Sequence, residues 1–400
     1  MTHRIKESKF NLIWLLTYIS IASVSAAIIT PALPRIQAEY QLSLGAVEWI
    51  VSAFLIGYVI GQLVYGPLAN QFGRLKALRI GLVINIIGIV FCLIAQSQDS
   101  YSLLIIGRLI TALGAASGLA CTFMLINEWL PESQRKAAMS YAVLSFALGA
   151  GISVMIGGLI TEFWRWQGCF WFLLVHGLIM LFGTRVFSET LISPKLIHPK
   201  TIIYDYYSAL SSSKLVIFSI VVGYCSSVSY CFSAGGPQIA ESLLHLSAAQ
   251  YGYWNGLNII GMLAGGLLAK PLLARYTVNF VIKIGLMGIA AGIINLILIW
   301  DFASHSALWF FMTSASLYLF SSLLFSGGSL VASNALSDKA SGAAMMSFIN
   351  MCFATVSVIF MGYVLSNPLL SFIITLSLIW IMITLLLTIY YFTHHTNAHE

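Results

Sequence analysis

The chain has 400 residues, of which 59% are hydrophobic and only 8% are charged. A soluble domain carries about 25% charged residues, and a soluble protein of this composition would expose apolar patches that promote aggregation. The composition therefore excludes a soluble enzyme or a soluble nucleic-acid-binding protein, and it indicates a protein whose outer surface faces lipid.

A helix needs about 20 mostly apolar residues to cross a bilayer. Twelve such segments occur, at 11–33, 46–68, 77–96, 101–125, 137–160, 167–188, 214–236, 248–269, 279–300, 305–330, 343–366 and 369–392. The polar segment 189–213, which contains Pro194 and Pro199, divides them six and six. The sequence therefore predicts an all-α membrane protein of 12 transmembrane helices. Its predicted parts are an N-terminal six-helix bundle at 1–188, a cytoplasmic linker at 189–213 and a C-terminal six-helix bundle at 214–400.

The basic residues predict the orientation of these spans. With both termini in the cytoplasm, 16 of the 19 Lys and Arg residues fall in cytoplasmic segments, and only Arg35, Arg108 and Arg165 fall elsewhere. This bias is what the positive-inside rule requires, and a change of one in the span count would remove it. The net charge of +6 is thus explained by topology, and no nucleic-acid partner is expected. The predicted location is the bacterial inner membrane.

The sequence gives no indication of a metal, a cofactor or enzyme chemistry. All six cysteines lie inside apolar segments, where cysteine packs as a small apolar residue, and no Cys-x-x-Cys or Cys/His cluster is present. The chain also lacks an HExxH motif and a pair of Asp residues in adjacent spans, and its one intramembrane histidine, His176, has no evident Ser partner. We therefore expect no cofactor and no catalytic site.

The segment after the second predicted span runs Gly66-Pro-Leu-Ala-Asn-Gln-Phe-Gly-Arg-Leu-Lys76. It resembles the signature loop of the major facilitator superfamily, in which a glycine permits tight helix approach and basic residues anchor the loop at the cytoplasmic surface. Asn70 and Gln71 stand where the family usually has Asp and Arg. The resemblance implies a gating role for Asn70, Gly73 and Arg74, with the family's charge pairing weakened at Asn70.

The fourth predicted span contains Gly107-Arg108-Leu-Ile-Thr-Ala-Leu-Gly114. This segment resembles the superfamily's RxxqGxgaa motif, whose arginine is tied to proton coupling. Arg108 lies about 10 Å along a helix that begins near Tyr101, at about 1.5 Å per residue. An arginine at such a depth is costly and normally faces a cavity or a partner, which favours a role in substrate binding, coupling or gating. An arginine that extends outward to the periplasmic interface is the alternative.

The fifth predicted span, from Gly149 to Gly158, partly matches the antiporter motif gxxxGPxxGG. Ser153 and Val154 replace the Gly-Pro pair of that motif, so antiport is not specifically indicated. The segment Trp164-Arg-Trp166 that follows is similar to one common before the sixth span of the family.

Three further segments point to one branch of the superfamily. Pro31-Ala-Leu-Pro34 ends the first predicted span, Gly57 to Leu68 fills the second, and Ala234-Gly-Gly-Pro237 closes the seventh. Together they resemble the bicyclomycin-resistance (Bcr/CflA) branch of the drug:proton antiporters. The resemblance implies two six-helix bundles around a central cavity, with alternating access by rocking. It also implies that Glu128, at the branch's acidic position after the fourth span, is a cytoplasmic gate residue.

That branch usually has an Asp four residues before the Pro-Ala-Leu-Pro segment, where this chain has Ala27. None of the 13 acidic residues falls at mid-membrane in the predicted topology. A proton-coupled transporter needs a titratable group that contacts its cavity. The candidates left are Glu48, at the outer end of the second span, and His176, inside the sixth. A solvated acid at a helix start and a hydrogen-bonded structural histidine are the alternatives, so proton coupling stays open.

The predicted cavity is therefore neutral and aromatic, with Arg108 as its cation. Such a surface suits a neutral or anionic amphipathic solute, and it has no intramembrane carboxylate to neutralise a cationic drug. Each of the other expected cavity residues could equally be a packing residue: Tyr58, Gln62, Tyr230, Asn255, Asn258 and Asn350.

The function predicted from these features is secondary transport of a small organic solute by alternating access. We expect an efflux pump for a drug, a metabolite or a siderophore, working as a monomer in lipid, with protons as a potential second partner. A passive facilitator, and a facilitator-fold protein that no longer transports and acts as a sensor or partner of another complex, are the alternatives. Ala27 and Asn70, which stand where the family usually has Asp, motivate the alternative of a protein that no longer transports.

Overall fold

The computed structural model describes residues 9–191, 193, 207–336 and 339–396. Within these ranges the chain forms helices and no strand. Several features used above lie outside the described residues: most of the predicted linker with Pro194 and Pro199, both chain ends, and the basic residues Arg4, Lys6, Lys195 and Lys200.

The helices of the N-terminal half are, in chain order, α1 Lys9–Thr17, α2 Ser20–Ala27, a 3₁₀ turn Thr30–Ala32, α3 Leu33–Glu39, α4 Leu44–Phe72, α5 Arg74–Ser97, α6 Tyr101–Trp129, α7 Glu132–Trp164, α8 Gln167–Gly183 and a 3₁₀ turn Thr184–Val186. The later helices are α9 Ser213–Ser242, α10 Ala248–Trp254, α11 Gly256–Arg275, α12 Val278–Asp301, α13 Ala307–Ser333, α14 Lys339–Val364 and α15 Pro368–Thr396.

Eleven helical segments of the described chain are long and apolar enough to cross a membrane. They correspond to the second to twelfth predicted spans, and α10 and α11 together form one of them. The predicted first span, 11–33, is not one continuous helix, since it is divided among α1, α2 and a 3₁₀ turn. The chain is therefore an all-α, multi-pass membrane protein.

Local chemistry explains why the first span is broken. Between α1 and α2 the backbone changes to 3₁₀-type bonds, in which Tyr18 N–H donates to Leu15 and Ile19 N–H donates to Leu16. Further on, Pro31 and Pro34 have no N–H to continue an α-helical ladder. The Thr30 hydroxyl donates a hydrogen bond to the carbonyl of Ala27 at 2.9 Å, which supplies a partner that the prolines cannot.

The chain groups into two compact units. The first contains Met1–Gln41, Trp49–His198 and Ala248–Tyr253, and the second contains Leu42–Glu48, Pro199–Ser247 and Trp254–Glu400. The first turn of α4 thus belongs to the second unit. The predicted bundle limits stay a prediction, because most of the linker lies outside the described residues.

Serine hydroxyl groups satisfy helices and join them in the second unit. Many of them donate to the carbonyl one turn earlier in the same helix, as Ser219 does to Leu215 and Ser227 to Gly223. Ser227 also contacts Ser357, which ties α9 to α14 with an Oγ–Oγ distance of 2.8 Å. Serine in this protein is therefore a structural residue, as expected in lipid.

Glycines bring helix backbones together within each unit. In the first unit, a Cβ built on Gly57 of α4 would lie 2.1 Å from the carbonyl oxygen of Leu109 on α6. In the second unit, a Cβ built on Gly261 of α11 would lie 2.1 Å from the carbonyl oxygen of Ala315 on α13. Lipid gives helices no hydrophobic reason to associate, so close packing of this kind supplies the attraction.

Substitution of Gly261 by Ala should destabilise the second unit, because the new methyl group would overlap a backbone oxygen that cannot move aside. We expect a cost of about 1–3 kcal/mol, the usual range for overpacking, seen as a lower midpoint of thermal unfolding in detergent. Gly266→Ala is the matched control on the same helix, since a Cβ there meets nothing within 4 Å. Equal midpoints for the two variants would contradict this account of the packing.

Candidate functional site

Arg108 of α6 lies completely buried in the first unit, at 0% exposure. Its Nε donates a hydrogen bond to the carbonyl oxygen of Ile50 at 3.2 Å, and its Nη1 donates to that of Ser25 at 2.8 Å. The guanidinium carbon lies 4.5 Å from the centre of the Phe54 ring. Its Nη2 is buried and has no hydrogen-bond partner among the described residues. The side chain therefore does not extend outward to an interface.

The broken first span supplies one of the groups that hold this charge. Ser25 lies in the last turn of α2, where the carbonyl groups form the negative end of the helix dipole and stabilise a nearby cation. Phe54 adds a cation–π contact. The ion pairs of the described residues do not involve Arg108, and Ala27, at the position of the family's usual Asp, is buried. Carbonyl oxygens and an aromatic ring thus take the place of a carboxylate.

Two predicted cavity residues continue the same face of α4. Tyr58 follows Phe54 by one helical turn and stacks on it, with ring centres 6.5 Å apart and planes 12° apart. Gln62 follows after one more turn, and its Oε1 is buried without a hydrogen-bond partner among the described residues. Aromatic surface and unused hydrogen-bonding capacity therefore extend along α4 from the guanidinium of Arg108.

A second polar cluster lies where α4 ends and α5 begins. Arg74, the first residue of α5, pairs with Glu128 of α6, with Nη2 2.6 Å from Oε1. Its Nη1 donates to the carbonyl of Ala69 at 2.9 Å. Asn70 is half-buried one turn before Arg74. The predicted gating residues Arg74 and Glu128 are therefore in direct contact, and Arg74 has a carboxylate partner even though Asn70 is neutral.

Glu189 completes this cluster, and sequence reasoning did not single it out. Its Oε1 accepts a hydrogen bond from Arg74 N at 2.8 Å, and its Oε2 accepts one from Leu75 N at 3.0 Å, so the carboxylate caps the start of α5. Gly73 has φ of +110°, and a Cβ built there would lie 2.4 Å from Glu189 Oε2. Glycine is therefore required at position 73 by both its conformation and the space that the carboxylate occupies.

The hydrogen bonds at Glu189 also determine its charge. Partial burial pushes the pKa of this carboxyl up, but hydrogen bonds from the N–H groups of Leu191, Arg74, Leu75 and Thr190 outweigh burial and lower the pKa below its ordinary value. These four N–H groups prefer the ionised carboxylate. At pH values above the ordinary pKa of glutamate, the ionised cap therefore stabilises the folded protein. This stabilisation is lost as the pH falls through the lowered pKa of Glu189 in the folded state.

Glu189→Gln should accordingly destabilise the protein at neutral pH by about 1 kcal/mol, the usual value of a helix cap. The difference from the wild type should shrink in acid, where the wild-type carboxylate is itself protonated. Thermal unfolding in detergent at about pH 7 and about pH 4 measures both effects. Glu162→Gln, which removes an exposed carboxylate paired with Arg35, is the control, and a difference for Glu189→Gln that is independent of pH would contradict the capping role.

In the second unit, two of the predicted cavity residues belong to a buried hydrogen-bond network. Asn258 Nδ2 donates to Asn255 Oδ1 at 2.8 Å, and the Ser314 hydroxyl donates to Asn258 Oδ1 at 2.6 Å. This network joins α11 to α13, which favours the packing alternative for both asparagines. Asn350 of α14 is also buried, but its Oδ1 has no hydrogen-bond partner among the described residues.

The second unit also has an aromatic interior centred on Phe232 of α9. Its ring contacts those of Phe310, Phe311, Tyr318 and Phe372, with centres 5.9 to 6.3 Å apart. The Tyr318 hydroxyl donates to the carbonyl of Ser229 at 3.3 Å. Tyr230, a predicted cavity residue, lies half-buried on the same stretch of α9.

The two proposed coupling residues have different surroundings. Glu48 is 1% exposed, and its Oε2 has no hydrogen-bond partner among the described residues, so the alternative of a solvated acid at a helix start is wrong. His176 of α8 is half-buried and stacks on Phe172, with ring centres 6.3 Å apart. A stacked ring of this kind fits a structural histidine at least as well as a proton carrier.

Residues 15–361 match the family model of the Major Facilitator Superfamily. The chain belongs to the Major Facilitator Superfamily. Among curated members it is 27% identical over 347 residues to Multidrug transporter MdfA of Shigella boydii, covering 84% of this chain and 82% of that protein. It is 26% identical over 164 residues to Multidrug resistance protein D of Escherichia coli, covering 41% of each chain, and the match to the MFS-type transporter YdgK of Bacillus subtilis covers 60% of each.

Solved structures show the same fold for this superfamily member. A D-xylose–proton symporter superposes with a TM-score of 0.74 at 15% identity, over 94% of this chain and 97% of the other. The nucleoside transporter NupG, solved in a mutant form, gives 0.74 at 13% identity over 94% and 98% of the two chains. Family membership confirms the predicted class, a membrane transporter and not an enzyme. The Bcr/CflA branch and the predicted site residues stay predictions.

Proposed function

We propose that this superfamily member is a secondary transporter of the bacterial inner membrane that exports a small amphipathic organic acid by alternating access. Its relatives are named as multidrug transporters and multidrug resistance proteins, which supports export of a small organic molecule. A single chain in lipid is sufficient for this activity, since alternating access in such folds is a motion within one protein.

The observation that carries the proposal is the spare donor of Arg108. A guanidinium has five N–H donors in a fixed fork, and a buried donor without an acceptor costs about 1–3 kcal/mol. Nη2 of Arg108 is such a donor, and neither of the ion pairs among the described residues neutralises this guanidinium. A carboxylate or another anionic group of a solute would provide both the acceptor and the counter-charge. Arg108 is therefore our proposed anion-binding residue.

The surroundings of Arg108 support an aromatic, amphipathic solute over a purely polar one. Phe54 and Tyr58 form a stacked pair beside the guanidinium, and flat aromatic faces bind flat apolar groups well. Gln62 adds an amide oxygen that lacks a partner among the described residues. A cationic solute would meet a positive charge here and, because position 27 is Ala, no carboxylate on α2. We assign Tyr58 and Gln62 to the same solute site.

The cluster around Arg74 is our proposed cytoplasmic gate element. Arg74, Glu128 and Glu189 connect α5, α6 and the segment after α8 through an ion pair and hydrogen bonds. Asn70 lies in the last turn of α4, and Gly73 forms the turn that leads from α4 into α5. In the proposal this cluster has a mechanical role, because it holds α5, α6 and the segment after α8 together at the cytoplasmic end of the first unit during transport.

Accumulation in an efflux-deficient bacterial host tests the proposal. Nalidixic acid, a planar aromatic carboxylic acid, and ethidium, a planar aromatic cation, are a pair of probes that differ in charge. Expression of the protein should lower the cell-associated nalidixic acid and leave ethidium unchanged. Export of ethidium alone would contradict the anionic preference. Export of neither probe, nor of any member of a wider panel of organic acids, would favour a facilitator-fold protein that does not transport.

Arg108→Ala should abolish export of nalidixic acid while leaving membrane insertion normal, because the anion would lose its partner. Arg108→Lys keeps the charge, but an ammonium group lacks the planar guanidinium that can donate to Ile50, to Ser25 and to a solute at the same time. We therefore expect export to fall tenfold or more, which corresponds to about 1.4 kcal/mol or more. Arg185→Ala is the matched control, since Arg185 also lies over a phenylalanine ring, that of Phe182, but on the surface. Unchanged export by Arg108→Ala would contradict the assignment.

A further inference from the structure

The first turn of α4 packs against the end of α14 in the second unit through two glycines. A Cβ built on Gly45 would lie 2.6 Å from the carbonyl oxygen of Gly362, and one built on Gly362 would lie 3.1 Å from the Cα of Gly45. The two backbones therefore approach closely, and the contact depends on the absence of side chains at both positions.

The carboxyl group of Glu48 is enclosed by this contact. A Cβ built on Gly362 would lie 2.5 Å from Glu48 Oε2, so the carboxyl fills the space that the missing side chain leaves. The residue is 1% exposed, and Oε2 has neither a hydrogen-bond partner nor an ion pair among the described residues. Among the described residues, the titratable groups near this turn are the buried thiol of Cys231 on α9 and the ring of Tyr363 on α14, and neither is a cation.

A bare carboxylate is a poor occupant of such a site. Burial of an ionised group without a cation or hydrogen bonds costs many kcal/mol, and a carboxyl group in this position avoids the cost by taking up a proton. The neutral acid has no charge to desolvate, so it is much less costly in the contact as it stands. An ionised carboxylate would need water or another donor, and Oε2 has no donor among the described residues in the contact as it stands.

We propose that Glu48 is a protonation-dependent latch: a proton on its carboxyl group lets the first turn of α4 close on α14, and loss of that proton opens the contact. In the closing step a proton from water binds the Glu48 carboxylate and the neutral acid enters the contact, and in the opening step the same O–H bond breaks and the proton returns to water. This latch deepens the proposed transport function and rests on it for its purpose.

Cys231 is a native reporter for the latch, because its thiol is 0% exposed and lies near Glu48. We would replace the other five cysteines by Ala and label Cys231 with a membrane-impermeant maleimide added outside proteoliposomes. Labelling, divided by the rate for a free thiol at the same pH, should rise severalfold from about pH 5.5 to about pH 8.5. A corrected rate that does not change with pH would overturn the latch.

Three variants make the test specific. Glu48→Gln, which is neutral at every pH, should keep labelling low and independent of pH. Gly362→Ala, which introduces a methyl group against Glu48 and Gly45, should raise labelling at every pH and keeps the test usable if Glu48→Gln does not fold. Glu241→Gln removes an exposed acid near the end of α9 and should leave the wild-type profile intact. A pH profile retained in Glu48→Gln, or lost in Glu241→Gln, would overturn the assignment to Glu48.

The labelling experiment needs no substrate, so it can fail or succeed independently of the transport proposal. In the same proteoliposomes, exchange of nalidixic acid across the membrane tests transport directly. A pH-dependent latch in a protein that exchanges no solute would overturn the proposed function and support the latch. Solute exchange by a protein whose Cys231 labelling does not change with pH would support the proposed function and overturn the latch.

Discussion

In the interior of a bilayer, a backbone or side-chain polar group that lacks a partner costs several kcal/mol, because no water is present to supply one. The first span shows what this constraint requires when a helix is interrupted. Its prolines cannot donate hydrogen bonds, so the Thr30 hydroxyl binds the carbonyl of Ala27. In the last turn of α2, the Arg108 guanidinium binds the carbonyl of Ser25. The interruption and the buried arginine thus stabilise each other.

Two buried ionisable groups distinguish the proposed functional residues from the packing residues. Arg108 and Glu48 are both almost completely buried, and neither forms an ion pair with another described residue. A protein selected for stability alone would pair such groups or replace them with apolar ones. In a transporter, a solute or a proton can supply the missing partner of such a group for part of the working cycle.

By itself, the sequence determined the class of the protein. Its apolar segments, the distribution of its basic residues and its motifs predicted the membrane location, the superfamily and eleven of the spans, because these properties depend on local composition and on positions close together in the chain. It also singled out Arg108 and Glu48, since charges in or beside apolar segments are conspicuous. The resemblance to the superfamily's motifs singled out Arg74 and Glu128.

Only the tertiary structure decided what those residues touch. The pairing of Arg74 with Glu128, the capping of α5 by Glu189 and the support of Arg108 by Ser25 and Ile50 join residues that are far apart in the chain. Glu189 had no distinguishing signal in the sequence, and the burial of Glu48 and the hydrogen bonds of Asn258 to Asn255 and Ser314 had none either. Such contacts depend on which helix faces meet, and the pattern of apolar residues along a membrane helix says little about that, because lipid-facing and buried faces are both apolar.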